Sequence, residues 1–237
     1  MEFLKVKTRL FMPPKDDLLA ILDEFLPKVL DGDILLIATK VLAIHQGRCI
    51  NRGDSDKLKL IGEEADCIPE KISDPCLTIK GNAMIPNSGI DESNGNGYYV
   101  LWPQNVENLL REIHRFVMDK FHLSSLGVIS VDSYVLPMRS GTVGISQGSF
   151  GFVPVIDLVG QRDLFGRPLG MSKINVADAL AGIMPLIAGE GGEACPVIIG
   201  RGIGDISFST ESNQAAARPI DRKTDLFGDL LKFFHQK

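Results

Sequence analysis

The stretch GVISVDS, residues 127–133, decides the fold class. Gly127 to Val131 is a short apolar run that suits a strand buried on both faces. It passes straight into Asp132, Ser133 and Tyr134. A carboxylate just past a buried strand stands where open α/β sheets place their ligand groups. Ser133 adds a hydroxyl, and the pair is a hard-oxygen set suited to Mg²⁺ or Mn²⁺. Asp-Ser is equally common turn or cap chemistry, and the residues alone weigh the two readings evenly.

Outward from this strand, Gln104 to Phe121 is amphipathic, with Leu109, Leu110, Ile113, Phe116 and Val117 at helical spacing. Upstream, Asp31-Gly32-Asp33 turns into the apolar run ILLIAT, residues 34–39, a second buried strand. Asp16 to Leu30 reads as a helix behind Pro13 and Pro14. The polar segment 51–73 reads as helix and loop, and Leu77–Lys80 and Tyr98–Trp102 as strands. The Gly- and Asn-rich stretch 81–97 between those strands reads as a long loop, and such loops are often functional. Downstream, a Gly-rich apolar region over 142–158 precedes the loop QRDLFGRPLG, residues 161–170. A helix over 175–187 and a last strong strand, PVIIGRG at 196–202, follow. The tail, 207–237, reads as loosely structured as far as Asp225, where a short helix begins. Interspersed strands and helices make the class α/β, of the mixed α+β kind. Residues 1–237 read as one catalytic unit with two interlocked subdomains.

Composition excludes several functions. The net charge is −5, with no basic face for a general nucleic-acid binder and no polybasic membrane anchor. No apolar stretch approaches the ~20 residues needed to span a bilayer. The N-terminus has no signal-peptide core, so the expected location is cytoplasmic. The cysteines, Cys49, Cys67, Cys76 and Cys195, form no C-x-x-C pair and read as buried free thiols. The histidines lack H-x-x-x-H spacing, which argues against catalytic zinc. A phosphate loop of the G-x-x-x-x-G-K-[ST] kind and a G-x-S-x-G elbow are also absent.

Two further segments carry candidate chemistry. In GIDESN, Asp91, Glu92, Ser93 and Asn94 crowd polar groups between Gly89 and Gly95. The competing reading is a solvated Asx turn, which the residues alone favour. In Gly189-Glu190-Gly191-Gly192-Glu193, bare backbone N–H groups suit an anion-holding nest, and Glu190 is placed to reach a metal. A helix C-cap explains one glycine there but not three. Arg139 and Arg201 are candidate anion contacts.

Five stretches in order resemble the coenzyme F-420-0:γ-glutamyl ligase family. They are GDILLIATKVLAIHQGR, LTIKGNAMIPNSGIDESN, GVISVDS, GQRDLFGRPLGMSKINVADALA and AGEGGEACPVIIGRG, within a match that runs from about Leu10 to about Asp205. The resemblance implies that family's mixed α/β fold and an intertwined homodimer with its active site near the subunit interface. It implies GTP as co-substrate, L-glutamate, a carboxylate acceptor and two divalent metals, Mg²⁺ or Mn²⁺. By motif position Asp91, Asp132, Ser133 and Glu190 would be metal ligands, with Asp91 and Asp132 serving the same cluster. Lys40, Asn94, Gly189, Glu190, Gly191 and Gly192 would meet the nucleotide, and Asp91, Asp132 and Arg139 would carry the catalysis. The acceptor is F-420-0 or a similar compound. A folate- or pterin-type acceptor, or a non-catalytic nucleotide- and metal-binding descendant, are the alternatives.

The chain departs from the family pattern at two cations. A family lysine that contacts nucleotide is Ile44 here, and a family arginine is Leu136. Isoleucine has no donor for a phosphate. Lys40, one helical turn or two strand positions away, and Arg139 are the cations left to compensate.

Overall fold

The computed structural model describes residues 1–204, 206–210 and 225–236. The elements begin with β1 (Glu2–Val6), α1 (Leu18–Phe25), β2 (Asp33–Ala38), α2 (Thr39–His45), β3 (Cys49–Asn51) and α3 (Lys57–Glu64). Next come β4 (Cys67–Pro69), β5 (Leu77–Lys80), β6 (Ala83–Pro86), β7 (Tyr98–Val100), α4 (Val106–Phe121), β8 (Leu126–Val135) and β9 (Thr142–Phe150). The chain ends with β10 (Val155–Asp157), β11 (Lys173–Asn175), α5 (Val176–Ala181), α6 (Met184–Ala188), β12 (Val197–Arg201), α7 (Gly228–Leu231) and β13 (Phe234–Gln236). The result is a mixed α/β protein of two compact units, both discontinuous in sequence. Among the described residues no helix is long and apolar enough to cross a membrane.

The first unit contains residues 1–8, 22–38 and the described part of 105–218. Its sheet has the order β1-β12-β2-β8-β9. The β2–β8 pair is parallel and the other neighbours are antiparallel. The central strands are mainly apolar because both of their faces are covered, and the polar residues buried in them, Asp33 and Ser130, are hydrogen-bonded. Ile34, Leu36, Ile129, Val131 and Ile198 pack with Leu180 and Met184 of the α5–α6 pair. The alternate residues Leu35, Ile37 and Val128 are buried on the opposite face. On that face α4 contributes Leu109, Leu110, Ile113 and Val117. At the foot of β2, Asp33 is 1% exposed and receives both Nε and Nη2 of Arg201, at 2.9 and 2.7 Å. Arg201 is therefore a structural tie within the sheet, not an anion contact.

The second unit contains residues 9–21, 39–104 and the described part of 219–237. Its larger sheet has the order β13-β4-β5-β6, beside a β3–β7 ribbon. Leu60, Ile61, Ile90, Tyr99 and Leu101 form one core cluster, and Ala43, Ile44 and Val100 another. Glu64 on α3 accepts from Arg48 at 2.6 Å and also pairs with Lys80.

Several expectations need correction. The helix expected over 16–30 is α1, Leu18–Phe25; Pro27 disfavours a helical residue before it. The helix expected over 175–187 breaks at Gly182 into α5 and α6, with Pro185 in the first turn of α6. The stretch 81–97 is not loop throughout, because β6 returns antiparallel to β5 across Gly81-Asn82. That dipeptide is a hairpin signal. The apolar region 142–158 is two strands, β9 and β10, interrupted at 151–154. Beyond the short helix after Asp225, β13 pairs with β4. Residues 211–224 of the expected tail lie outside the described residues.

One buried group makes the first unit sensitive to acid. His114 is 6% exposed on α4, against the edge of Phe150. Its Nε2 lies 3.2 Å from the Leu126 carbonyl, which only accepts, so Nε2 carries the proton. Burial lowers its pKa, the Leu126 hydrogen bond raises it, and the nearby Arg111 charge lowers it further, leaving it below the ordinary histidine value. The unfolded chain therefore protonates at a higher pH than the native one. This contribution is complete above the unfolded pKa and is lost as pH falls towards the native one. The urea midpoint should fall more steeply from pH 7.5 to 5 in the wild type than in His114→Gln, which keeps a donor for Leu126. Parallel midpoint curves would refute this role.

Candidate functional site

In the first unit the site is built on β8, which runs on past its apolar half to Val135. Asp132 pairs with Ile145 and Ser133 with Gly144. The two residues thus lie inside a strand, neither past its end nor in a turn, and the turn-or-cap reading fails. Successive strand residues face opposite sides. Ser133 shares its face with Ile129 and Val131, which pack against α5 and α6. Asp132 points the other way, and its Oδ1 accepts from the Ser133 N–H at 3.0 Å.

The partner of Ser133 comes from the loop after α6. Its hydroxyl is 2.9 and 2.8 Å from the two carboxylate oxygens of Glu190. Two glycines make this meeting possible. A Cβ at Gly144 would stand 1.9 Å from the Ala181 carbonyl oxygen, so only glycine lets the α5 terminus settle against β9 opposite Ser133. Gly189 ends α6 at φ 87°, and a Cβ there would meet the Glu193 carboxyl carbon at 2.3 Å. Glu193 folds back so that Gly191 N–H donates to its Oε2 at 2.8 Å. Gly189 is thus the C-cap, while the loop beyond it already holds one carboxylate on its backbone. Gly192 is exposed, and Arg139 lies exposed at the tip of the β8–β9 hairpin. Sequence reading missed Gly144, whose only signal was a glycine within an apolar strand.

In the second unit the site is the loop after Ile90. Asp91 is fixed by a backbone bridge to Val100, at 3.0 and 2.8 Å. Its Oδ1 accepts from Ser93 N–H at 2.7 Å, the Asx turn expected as the competing reading. The turn is also charged on both sides. Lys40, in the first turn of α2, places Nζ 2.7 Å from Asp91 Oδ2 and donates to the Ser93 carbonyl at 2.7 Å. Burial pushes the Asp91 carboxyl up, but the Lys40 charge and the Lys40 and Ser93 hydrogen bonds outweigh it. The carboxyl is held below its usual range and stays ionised at neutral pH. Asn94 follows in the left-handed region, at φ 53°. Then comes Gly95, where a Cβ would lie 2.4 Å from the Tyr98 carbonyl oxygen.

Each unit thus brings some of the expected residues together: Ser133 with Glu190 beside Asp132, and Lys40 with Asp91 beside Asn94. These donors are hard oxygens, which fit Mg²⁺ or Mn²⁺ and not zinc or copper. Among the described residues no three His, Cys, Asp or Glu side chains stand together as a metal cage. Mg²⁺ characteristically takes one or two carboxylates and completes its shell with water and phosphate, so the donor set fits that ion.

A protein-family model described as F420-0:Gamma-glutamyl ligase matches residues 5–202. The chain is similar to the Coenzyme F420:L-glutamate ligase of Methanopyrus kandleri, 29% identical over 209 residues, or 80% of this chain and 82% of that one. The protein of the same name from Methanocaldococcus jannaschii is 30% identical over 215 residues, 83% of this chain and 85% of that one. That of Methanothermobacter thermautotrophicus is 31% identical over 196 residues, 73% of this chain and 76% of that one.

Lys40 and Ile44 differ sharply in their surroundings. Both lie on α2, one helical turn apart, but Ile44 is 2% exposed and packs with Ala43 and Val100. Position 44 is a core position on this backbone. A lysine there would be desolvated without a counter-ion and would not lie against a ligand. Ile44→Lys should destabilise the fold by about 3–5 kcal/mol without improving nucleotide binding. A stable variant with tighter nucleotide binding in calorimetry would show that this face of α2 opens to ligand.

Proposed function

The chain belongs to the F420-0:γ-glutamyl ligase family, and from that premise we propose that it joins L-glutamate to a carboxylate acceptor at the expense of GTP. The observation that carries this reading is that the family match spans both polar clusters, Asp91 with Lys40 and Ser133 with Glu190. The acceptor is F-420-0 or a close analogue. Its carboxylate attacks the γ-phosphate, giving an acyl phosphate and GDP. The glutamate amine then attacks the acyl carbon and expels phosphate. Asp91 in the second unit, and Asp132, Ser133 and Glu190 in the first, would be ligands for Mg²⁺ or Mn²⁺, which would supply neutralisation of phosphate charge and alignment of the in-line attack. Lys40 and Arg139 are the cations for the phosphates. Asn94 and the backbone of Gly189, Gly191 and Gly192 are further contacts for the nucleotide.

A second acceptor class has one observation in its favour. The β8–β9 tip presents Val135, Leu136 and Met138, the last fully exposed, and Leu136 stands where the family pattern has an arginine. An apolar tip suits a folate- or pterin-type carboxylate better than the anionic F-420-0. The test is phosphate release from GTP or ATP with Mn²⁺, L-glutamate and each acceptor. Release that needs both glutamate and acceptor is expected, and the preferred acceptor separates the two classes. Asp91→Asn and Asp132→Asn should each lose ten-fold or more in metal-dependent nucleotide affinity, about 1.4 kcal/mol or more, with melting temperatures little changed. Nucleotide binding without phosphate release for any carboxylate would make the protein a non-catalytic descendant.

The reading includes a homodimer. The β10–β11 arm carries Leu164 at 99% and Phe165 at 96% exposure. The tip is pre-ordered: Asp163 Oδ1 accepts from the N–H groups of Phe165 and Arg167, and Arg162 donates to the Gly166 carbonyl. Holding two large apolar side chains in water on an ordered loop is costly unless a surface covers them. Light scattering should give twice the chain mass at micromolar concentration, and Leu164→Asp with Phe165→Asp should give a monomer. A monomeric wild type would remove the dimer from the proposal.

A further inference from the structure

Behind the Asp91 loop lies a cation that the ligase reading leaves unused. Lys57 opens α3, and its ammonium lies 2.5 Å from Glu92 Oε1 and 2.7 Å from Asp74 Oδ2. Its side chain is only 18% exposed, so these contacts act in a partly desolvated setting, where ion pairs are screened less than at the open surface. Asp74 is anchored in turn. Its Oδ1 accepts from Asn87 Nδ2 at 2.9 Å, and Asn87 Oδ1 accepts from the Cys76 N–H at 2.8 Å. A line of hydrogen bonds and ion pairs thus runs from the turn at 74–76 through Lys57 to Glu92, the chain neighbour of Asp91. Arg52 also reaches Glu92, at 3.0 Å, but its side chain is 51% exposed.

We infer that Lys57 is a positioning residue for the Asp91 loop, acting through Glu92. Lys40 grips the loop at Asp91 and Ser93, and Lys57 grips it at Glu92. When a phosphate draws the Lys40 ammonium away, the Lys57 grip remains and keeps Asp91 presented to its ligand. The inference rests on the ligase reading only in taking Asp91 as a ligand-holding group.

The test uses the full chain and five variants: Lys57→Met, Lys57→Arg, Glu92→Gln, the double Lys57→Met/Glu92→Gln, and Lys59→Met. Lys59 is the neighbouring control, 71% exposed and paired only loosely with Glu63 at 3.6 Å. Mn²⁺ binding in the presence of GTP is followed by electron paramagnetic resonance of the free ion, with melting temperature and steady-state kinetics alongside. Lys57→Met and Glu92→Gln should each weaken Mn²⁺ binding and raise the nucleotide KM about ten-fold, with a smaller change in kcat. The double variant should be no worse than either single one, since both remove the same bond. Lys57→Arg should recover most of the affinity, and Lys59→Met should match the wild type.

Wild-type Mn²⁺ affinity in both single variants, or effects that multiply in the double variant, would overturn the inference. If Lys57→Met does not fold, Glu92→Gln decides by the same readout. Asp91→Asn, measured in parallel, separates the two levels. Wild-type Mn²⁺ affinity there overturns the ligase reading of the loop and this inference with it. Loss there, with the Lys57 and Glu92 variants intact, overturns the inference alone.

Discussion

Two neighbouring strands that run in the same direction have to be joined by a chain that travels back along the sheet. In the first unit that pair is β2 and β8, from Asp33↔Leu126 to Ala38↔Val131. The connection holds residues 39–104, most of the second unit, and returns through α4. The parallel pair is buried on both faces, so its apolar run cannot be interrupted without cost. Polar chemistry is accordingly displaced to the strand end, where Asp132 and Ser133 continue β8 beyond the last residue paired with β2. Among the described residues only the antiparallel neighbour β9 pairs with β8 there, which leaves the end accessible to a ligand. Asp33 and Arg201 close the opposite end of β2, a buried carboxylate held by a bidentate guanidinium.

The meeting of Ser133 with Glu190 depends on backbone proximity more than on side chains. The α5–α6 pair approaches β9 so closely that the position opposite Ser133 has no room for a Cβ. This contact fixes the end of α5 against β9, and Gly189, the C-cap of α6, turns the chain in a conformation that L side chains rarely adopt. Glu190 follows immediately. Larger residues at positions 144 or 189 would move the carboxylate away from Ser133 without touching either partner.

Much of the fold was legible because hydrophobic periodicity reports burial directly. The strands ILLIAT, GVISV and PVIIGRG and the stripe of α4 were all readable, since each is apolar on the faces it buries. What stayed hidden was set by other forces. The hairpin return of β6 rests on a two-residue turn that composition alone reads as loop. The split of α5 from α6 follows from Gly182 and Pro185. The end of β8 was misplaced because Asp132 and Ser133 look like turn residues, while cross-strand pairing with β9 keeps them extended. At the site, the residue types were legible and the partners were not. The hold of Lys40 on Asp91 spans a large sequence separation, and the burial of Ile44 depends on which face of α2 meets Val100. Neither is a property of local sequence.

The electrostatics of the Asp91 loop narrow what can bind there. Asp91 is ionised and already neutralised by Lys40, and Glu92 is neutralised by Lys57 and Arg52. A bare cation competing for Asp91 would leave the Lys40 ammonium, 24% exposed, without its counter-charge. A bare anion drawn to Lys40 would leave the Asp91 carboxylate unpaired. Each exchange gives up one strong contact for another, so the net gain is small. A ligand carrying both signs avoids this cost, because its cationic part takes Asp91 while its anionic part takes Lys40. Metal-bound polyphosphate is such a ligand, and free Mg²⁺ or free phosphate is not. The Lys40–Asp91 pair thus sets a charge-balance condition on any ligand of this loop: one that carries both signs replaces both partners at once, and one of a single sign does not.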